Sequence, residues 1–136
     1  MKIALLNINR NGVRVDDKWG AINNVTKVRR IAILAAQETH PSLEVQERLQ
    51  RQFHNLLLFF HSADPDEPSG QNGVTIALNK GLVKLTGMST TMLVEGRAIM
   101  ISIPWNGEDT LQIMNVYAPV KNNEKATFWE ELCQKM

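Results

Sequence analysis

The sequence predicts an α/β or α+β layered domain, a mixed sheet with helices outside it, and three observations carry that expectation. The run I-A-I-L-A-A at 31–36 is apolar without alternation, the pattern of a strand covered on both faces. Around it, strand-like and helix-like periods alternate over residues 2–60, giving strand, helix, strand, helix, strand. From residue 73 onward, strand-like segments follow one another with no helical pattern between them, until an amphipathic segment closes the chain. Layered mixed sheets are the natural outcome of that order.

Residues 2–9 alternate apolar with smaller or polar side chains and end in the turn-like R-N-G, so they read as a strand and a loop. Asp16 or Asp17 can cap a helix over about 18–29, with Trp19, Ile22, Val25 and Val28 on one face and Lys27, Arg29 and Arg30 near the C-terminal end, where cations suit the dipole. The buried strand at 31–36 then delivers Q-E-T-H at its C-terminal end. Ser42 can cap a helix over roughly 43–52, and L-L-L-F-F at 56–60 returns as a strand. Residues 62–72, S-A-D-P-D-E-P-S-G-Q-N, are the one stretch rich in turn formers and are too short for a domain linker. Strands are expected at 73–78, 97–103 and 111–117, with a shorter candidate at 82–85, and a closing helix over 123–135 presents Phe128, Trp129 and Leu132.

Composition narrows the class. At 136 residues, 43% hydrophobic and 21% charged, the chain has the balance of a globular domain and excludes a disordered tail. No apolar run approaches the roughly 18 residues of a membrane helix, and nothing signal-like builds up before Asn7, so an intracellular protein, nuclear or cytoplasmic and not secreted, is expected with no membrane partner. One cysteine, Cys133, cannot form an internal disulfide and reads as a small packing residue, and three histidines cannot assemble a structural zinc cluster. The net charge of +1 hides an asymmetry: residues 1–30 hold seven Lys/Arg against Asp16 and Asp17, giving +5, while the rest holds eight against twelve, giving −4. The basic part, Arg10, Arg14, Lys18, Lys27, Arg29 and Arg30, suits a phosphate backbone or a solvated helix face, and charge alone does not choose.

Strand ends are where layered α/β folds place function, and three polar groups sit there: Asn7 with Asn9, Glu38 with His40, and Asn115 with Tyr117. Glu38 lies just past a buried strand, where a carboxylate is costly without a partner; a hard cation such as Mg²⁺, a helix cap or an ion pair with an arginine would each satisfy it. Asn7 interrupts an apolar strand, and its amide needs backbone, water or an active-site network. Tyr117 reads equally as core with a locally satisfied hydroxyl. His54 and His61, flanking the strand at 56–60, both read as surface residues.

Four segments together, I-A-L-L-N-I-N at 3–9, I-L-A-A-Q-E-T-H at 33–40, N-G-V-T-I-A-L-N-K at 72–80 and I-M-N-V-Y-A-P at 113–119, resemble the endonuclease/exonuclease/phosphatase superfamily. Its DNase I-like fold is a four-layer α-β-β-α sandwich. Within it, Q-E-T-H, E-G-R before a strand, and N-V-Y-A-P followed by F-W-E-E-L look most like endonuclease domains of LINE-type, non-LTR retrotransposons, particularly fungal ones. The resemblance implies a metal-dependent DNA endonuclease in which Glu38 holds Mg²⁺ or Mn²⁺, Asn7 supports the metal and phosphate network, and the Tyr117 hydroxyl addresses the scissile phosphate. It places Asn9, His40, Arg97 and Asn115 on the nucleic-acid face.

Departures from the pattern matter as much. The family's G-D-x-N and terminal S-D-H segments, which supply the water-positioning and base roles, do not occur, Arg10 stands where relatives often have Gly, and Val120 stands where many have Asn, with Asn122 or Asn123 nearby to compensate. The resemblance therefore implies that residues 1–136 are a partial domain, the N-terminal half of a fold whose relatives run to roughly 200–250 residues, and inactive alone. If each half builds one sheet, the face meant for the missing sheet is left apolar and exposed, favouring self-association or a second chain that supplies the other half. Two other functions stay open: a non-catalytic fragment that binds nucleic acid or protein, and a superfamily member acting on RNA or phospholipid headgroups.

Overall fold

The computed structural model describes residues 1–8, 15–66 and 72–136. In chain order the elements are β1 (Lys2–Asn7), α1 (Val15–Arg29), β2 (Ile31–Gln37), α2 (Leu43–Phe53), β3 (Leu57–Ser62), β4 (Val74–Asn79), β5 (Ser89–Val94), β6 (Ala98–Trp105), β7 (Asp109–Val116) and α3 (Asn122–Lys135). The strands form two sheets, β1-β2-β4-β3 and β5-β6-β7. In the first, β1 runs parallel to β2 while β4 is antiparallel to both β2 and β3; the second is antiparallel throughout.

Alternation along the strands divides the core into three layers. On the outer face of the first sheet, Leu34, Ala36, Phe59 and Ala77 meet Trp19 of α1 and Leu49 and Phe53 of α2. Trp19 is fully buried, its ring edge-on to Phe59 at 5.2 Å. Between the sheets lie Ile33, Val74, Ile76 and Leu78 from one side and Ile99, Ile101 and Ile103 from the other. On the far face of the second sheet, Phe128 and Leu132 of α3 cover Leu93, Val94 and Ala98. Each fully buried large side chain contributes about 1.5–3 kcal/mol relative to exposure, so these layers hold the sandwich together. The architecture is the expected α-β-β-α layering with a mixed first sheet.

The expectation that the inter-sheet face would stand exposed is corrected for most of that face and holds at β1: this chain supplies strands to both sheets and closes the layer over β2, β3 and β4, while the part of the face that β1 carries stays uncovered. The uncovered apolar surface lies along that side. β7 packs over β2 and β4, and β6 over β4 and β3, and the second sheet ends at β7. Ile3 and Leu5 of β1, on the same face as Ile33 and Ala35, are therefore 52% and 72% exposed, and Val25 and Val28 of α1 are 50% and 69% exposed. Beside them, a 290 Å³ hollow opens between β1 and α1, lined by Leu5, Leu6, Ala21, Ile22 and Val25.

Other local expectations shift for identifiable reasons. Ser42 does cap α2, its hydroxyl accepting from the Val45 N–H at 3.4 Å. Helix α1 starts at Val15, so Asp16 and Asp17 lie inside its first turn and are not its cap. Residues 82–85 are not a strand: Leu82 and Val83 both bond back to the Asn79 carbonyl, and Leu82, Val83 and Leu85 enter the inter-sheet core from a turn. The missed strand is β5, S-T-T-M-L-V, whose first four residues are exposed. Trp129 is 47% exposed, and Cys133 is exposed and not packed. Among the described residues, no helix is long and apolar enough to cross a membrane.

Candidate functional site

The register brings three chain segments to one end of the sandwich. Asn7, last in β1, pairs with Gln37, last in β2, so Asn7 lies beside the start of the segment that carries Glu38. On the other sheet β7 ends at Val116, immediately before Tyr117. The two sheets are clasped here by the Gln37 side-chain amide, which donates to the Val116 carbonyl.

Glu38 is where the segments meet. Its Oε1 accepts from Asn7 Nδ2 at 3.1 Å and from Tyr117 Oη at 2.9 Å. Both donors fall on the same carboxylate oxygen, which is thereby held from two sheets. Such an arrangement aims a carboxylate without neutralising it, because both partners are uncharged donors.

Tyr117 is itself fixed by Arg97. The Tyr117 N–H donates to the Arg97 carbonyl at 2.7 Å, Arg97 Nη1 donates to the Tyr117 carbonyl at 3.1 Å, and the guanidinium lies 5.7 Å from the ring centroid. Partial burial, the hydrogen bond to Glu38 and the Glu38 charge all raise the phenol pKa above its usual value of 10.0, with Arg97 opposing them. The phenol thus stays a neutral donor at physiological pH. Its contribution to stability is fully present below about pH 10 and is lost as pH rises through the raised folded value. Phenolate absorbance should therefore appear at higher pH than for free tyrosine, and in Glu38→Gln the midpoint should fall; an unchanged midpoint in that variant would refute the coupling.

Two glycines shape the backbone around the site. Gly96, at φ 74°, lets Asp64 approach so closely that a Cβ would sit 2.8 Å from its amide nitrogen, and its N–H donates to Ser62 Oγ at 2.8 Å. Gly73, at φ 123°, abuts the segment that follows Glu38 and accepts the Thr39 N–H at 3.3 Å. Glu38 and His40 adopt φ of 54° and 47°, a left-handed geometry that is uncommon for residues other than glycine and costs of the order of 1–3 kcal/mol each.

The remaining candidates fall elsewhere. Asn115 is 2% exposed, and its Nδ2 donates to the carbonyls of Ala36 at 2.9 Å and Thr75 at 3.0 Å, so it is a strut between the sheets; the nucleic-acid-face assignment is corrected by its burial. His40 is 7% exposed, which likewise removes it from an open face. Arg97 stays next to the site, held against Tyr117. Asn9, with Arg10 and Arg14 of the basic segment, lies outside the described residues. Asn122 and Asn123 are exposed at the start of α3, as is Val120. His54 is exposed, but His61 is corrected: its ring stacks on Phe59 at 5.4 Å, and burial lowers its pKa from 6.5 to about 4, so it is neutral. Sequence reasoning also passed over Gln37, Thr39, Thr75 and Gly73. Gln37 and Thr39 stood inside Q-E-T-H, whereas nothing in the sequence marks Thr75 as anything but strand.

Among the described residues, no cluster of three or more His, Cys, Asp or Glu could form an all-protein metal cage. The donor set fits Mg²⁺ or Mn²⁺ in another way, since such ions keep several waters and are held by one or two carboxylates plus substrate phosphate. Glu38 is the carboxylate that would serve for that.

No protein-family model and no curated protein matches the chain. Solved structures do. Zebrafish (D. rerio) TDP2 complexed with a single-strand DNA product aligns over 98% of this chain and 53% of its own, at 16% identity and TM-score 0.67. An AP endonuclease from Archaeoglobus fulgidus aligns over 99% and 51%, at 22% identity and TM-score 0.66. An endonuclease/exonuclease/phosphatase family protein from Leptotrichia buccalis aligns over 100% and 61%, at 12% identity and TM-score 0.58. The chain therefore has the DNase I-like fold that these structures share. The chain spans about half the length of the first two of these neighbours.

Proposed function

We propose that this chain forms the cation-holding part of a phosphodiester hydrolase acting on DNA, of the LINE-type retrotransposon endonuclease kind that its motifs resemble. One observation carries the reading: Asn7 and Tyr117, from different sheets, converge on one oxygen of Glu38. A divalent cation there would neutralise charge growing on a phosphate. Asn7 fixes the carboxylate from the β1 side. Tyr117, kept protonated by the contacts that raise its pKa, holds a hydroxyl proton beside the carboxylate, and Arg97 orients that ring.

Hydrolysis also needs a group to activate water, and the G-D-x-N and S-D-H segments that supply it in the family do not occur in this sequence. We therefore propose that residues 1–136 act as part of a larger domain and are inactive alone. The open β1 edge, with Ile3, Leu5, Val25 and Val28 exposed beside it, supports association with a further polypeptide, either one supplying the rest of the fold or a second copy.

The test is supercoiled plasmid incubated with the chain and Mg²⁺, read for both retention and nicking. Salt-sensitive binding without nicking is expected. Robust nicking that disappears in Glu38→Ala would support the site and refute inactivity, whereas cleavage of RNA or a phosphoinositide in preference to DNA would move the substrate class. Absence of any binding at low salt would remove DNA from the proposal. Light scattering on wild type and Leu5→Lys tests the surface: a concentration-dependent mass for wild type, lost in the variant, is expected, and a strictly monomeric wild type would count against self-association.

A further inference from the structure

Beneath Glu38 runs a buried polar chain that the site so far does not use. Thr75 of β4 is fully buried and Thr39 is 2% exposed. The Thr75 hydroxyl donates to Thr39 Oγ1 at 2.9 Å, and His61 Nδ1 lies 2.8 Å from the same Thr75 oxygen. A hydroxyl has one proton, and with Thr75 giving it to Thr39 the His61 contact takes Nδ1–H as donor. That leaves Nε2 as the bare nitrogen, and it is buried without a partner. The chain is thus polarised in one direction, from His61 through Thr75 to Thr39.

Its end point matters because of what flanks Thr39. Glu38 and His40 on either side both hold positive φ, and such geometry persists only where the surroundings over-determine it. Thr39 is the one buried anchor between them, tied through its N–H to Gly73 and through its hydroxyl to Thr75. Thr75 is tied in turn to the second sheet, its carbonyl accepting from Asn115 at 3.0 Å.

We propose that His61, Thr75 and Thr39 form a positioning relay that locks the left-handed turn at Glu38 and so sets the aim of its carboxylate. None of the three touches the cation or the phosphate; they act through the backbone of residue 38. The proposal rests on Glu38 as the cation ligand. A supporting group of this kind is worth roughly 10- to 100-fold in metal affinity.

The test uses Mn²⁺ alone as probe, its affinity for the whole chain measured by water-proton relaxation, together with the imidazole ¹⁵N spectrum. Thr75→Val keeps shape and removes the hydroxyl: affinity should fall roughly 10-fold or more and the His61 Nδ1–H signature should be lost, while Thr75→Ser restores both. Should Thr75→Val not fold, His61→Phe, which keeps the stack on Phe59, should show a loss in the same direction. Glu38→Gln separates the two layers of the argument. If it leaves Mn²⁺ affinity unchanged, Glu38 is not the ligand and the parent reading fails. If it abolishes affinity while folded Thr75→Val or His61→Phe binds like wild type, the relay is overturned and the parent reading stands.

Discussion

Gly73→Ala is expected to destabilise the chain by about 2–4 kcal/mol, from backbone strain and overpacking together. A Cβ on Gly73 would lie 2.5 Å from Pro41 Cδ, 3.0 Å from the His40 nitrogen and 3.2 Å from Thr39 Oγ1. None of these is the free end of a flexible side chain: two belong to a ring and a backbone, and the third is held by Thr75. The native φ of 123° adds a strain that no relaxation of neighbours removes. The clash falls on the segment carrying Glu38, so the variant should lose cation affinity along with stability. Denaturant unfolding of the two proteins measures it, and a difference below about 1 kcal/mol would mean that the approach of Gly73 to that segment is looser than described.

The second large effect concerns Glu38 itself. Glu38→Ala should reduce Mn²⁺ affinity at least about 100-fold, the upper end of what loss of a mere supporting group costs. Asn7→Ala and Tyr117→Phe each remove one donor from Oε1 and leave the ligand in place, so each should cost less than Glu38→Ala. The ranking is the informative part. If Asn7→Ala equals Glu38→Ala, the amide is itself a ligand and its bond to Glu38 is incidental.

Much of this architecture can be read from the residues, and the parts that cannot share a cause. The uninterrupted apolar strand at 31–36, the Ser42 cap and the closing amphipathic helix follow from local chemistry and sit where that chemistry puts them. The region 82–85 misleads because its apolar residues enter the core from a turn, while β5 spends its first four residues in solvent. His61 and Asn115 look like surface or strand-end polar groups because a sequence shows no partner across the sheet; Thr75 gives each of them one, through its hydroxyl and its carbonyl. The sheet partition fails for a topological reason. With β5, β6 and β7 all after residue 88, one chain builds both layers, and the apolar deficit shrinks to the part of the inter-sheet face that β1 carries. At the site, motif resemblance directs attention to Asn7, Glu38 and Tyr117, yet the shared oxygen that joins them is visible only once two sheets are packed.

The central claim, that this shared carboxylate is a cation site, is tested most directly by titrating Mn²⁺ into ¹⁵N-labelled chain and following which amide signals broaden first. Broadening centred on Asn7, on Glu38 to His40 and on Tyr117, and abolished by Glu38→Gln, is the predicted result. Broadening centred instead on the acidic hollow lined by Asp64, Glu95, Glu124 and Glu131, and unaffected by Glu38→Gln, would contradict it.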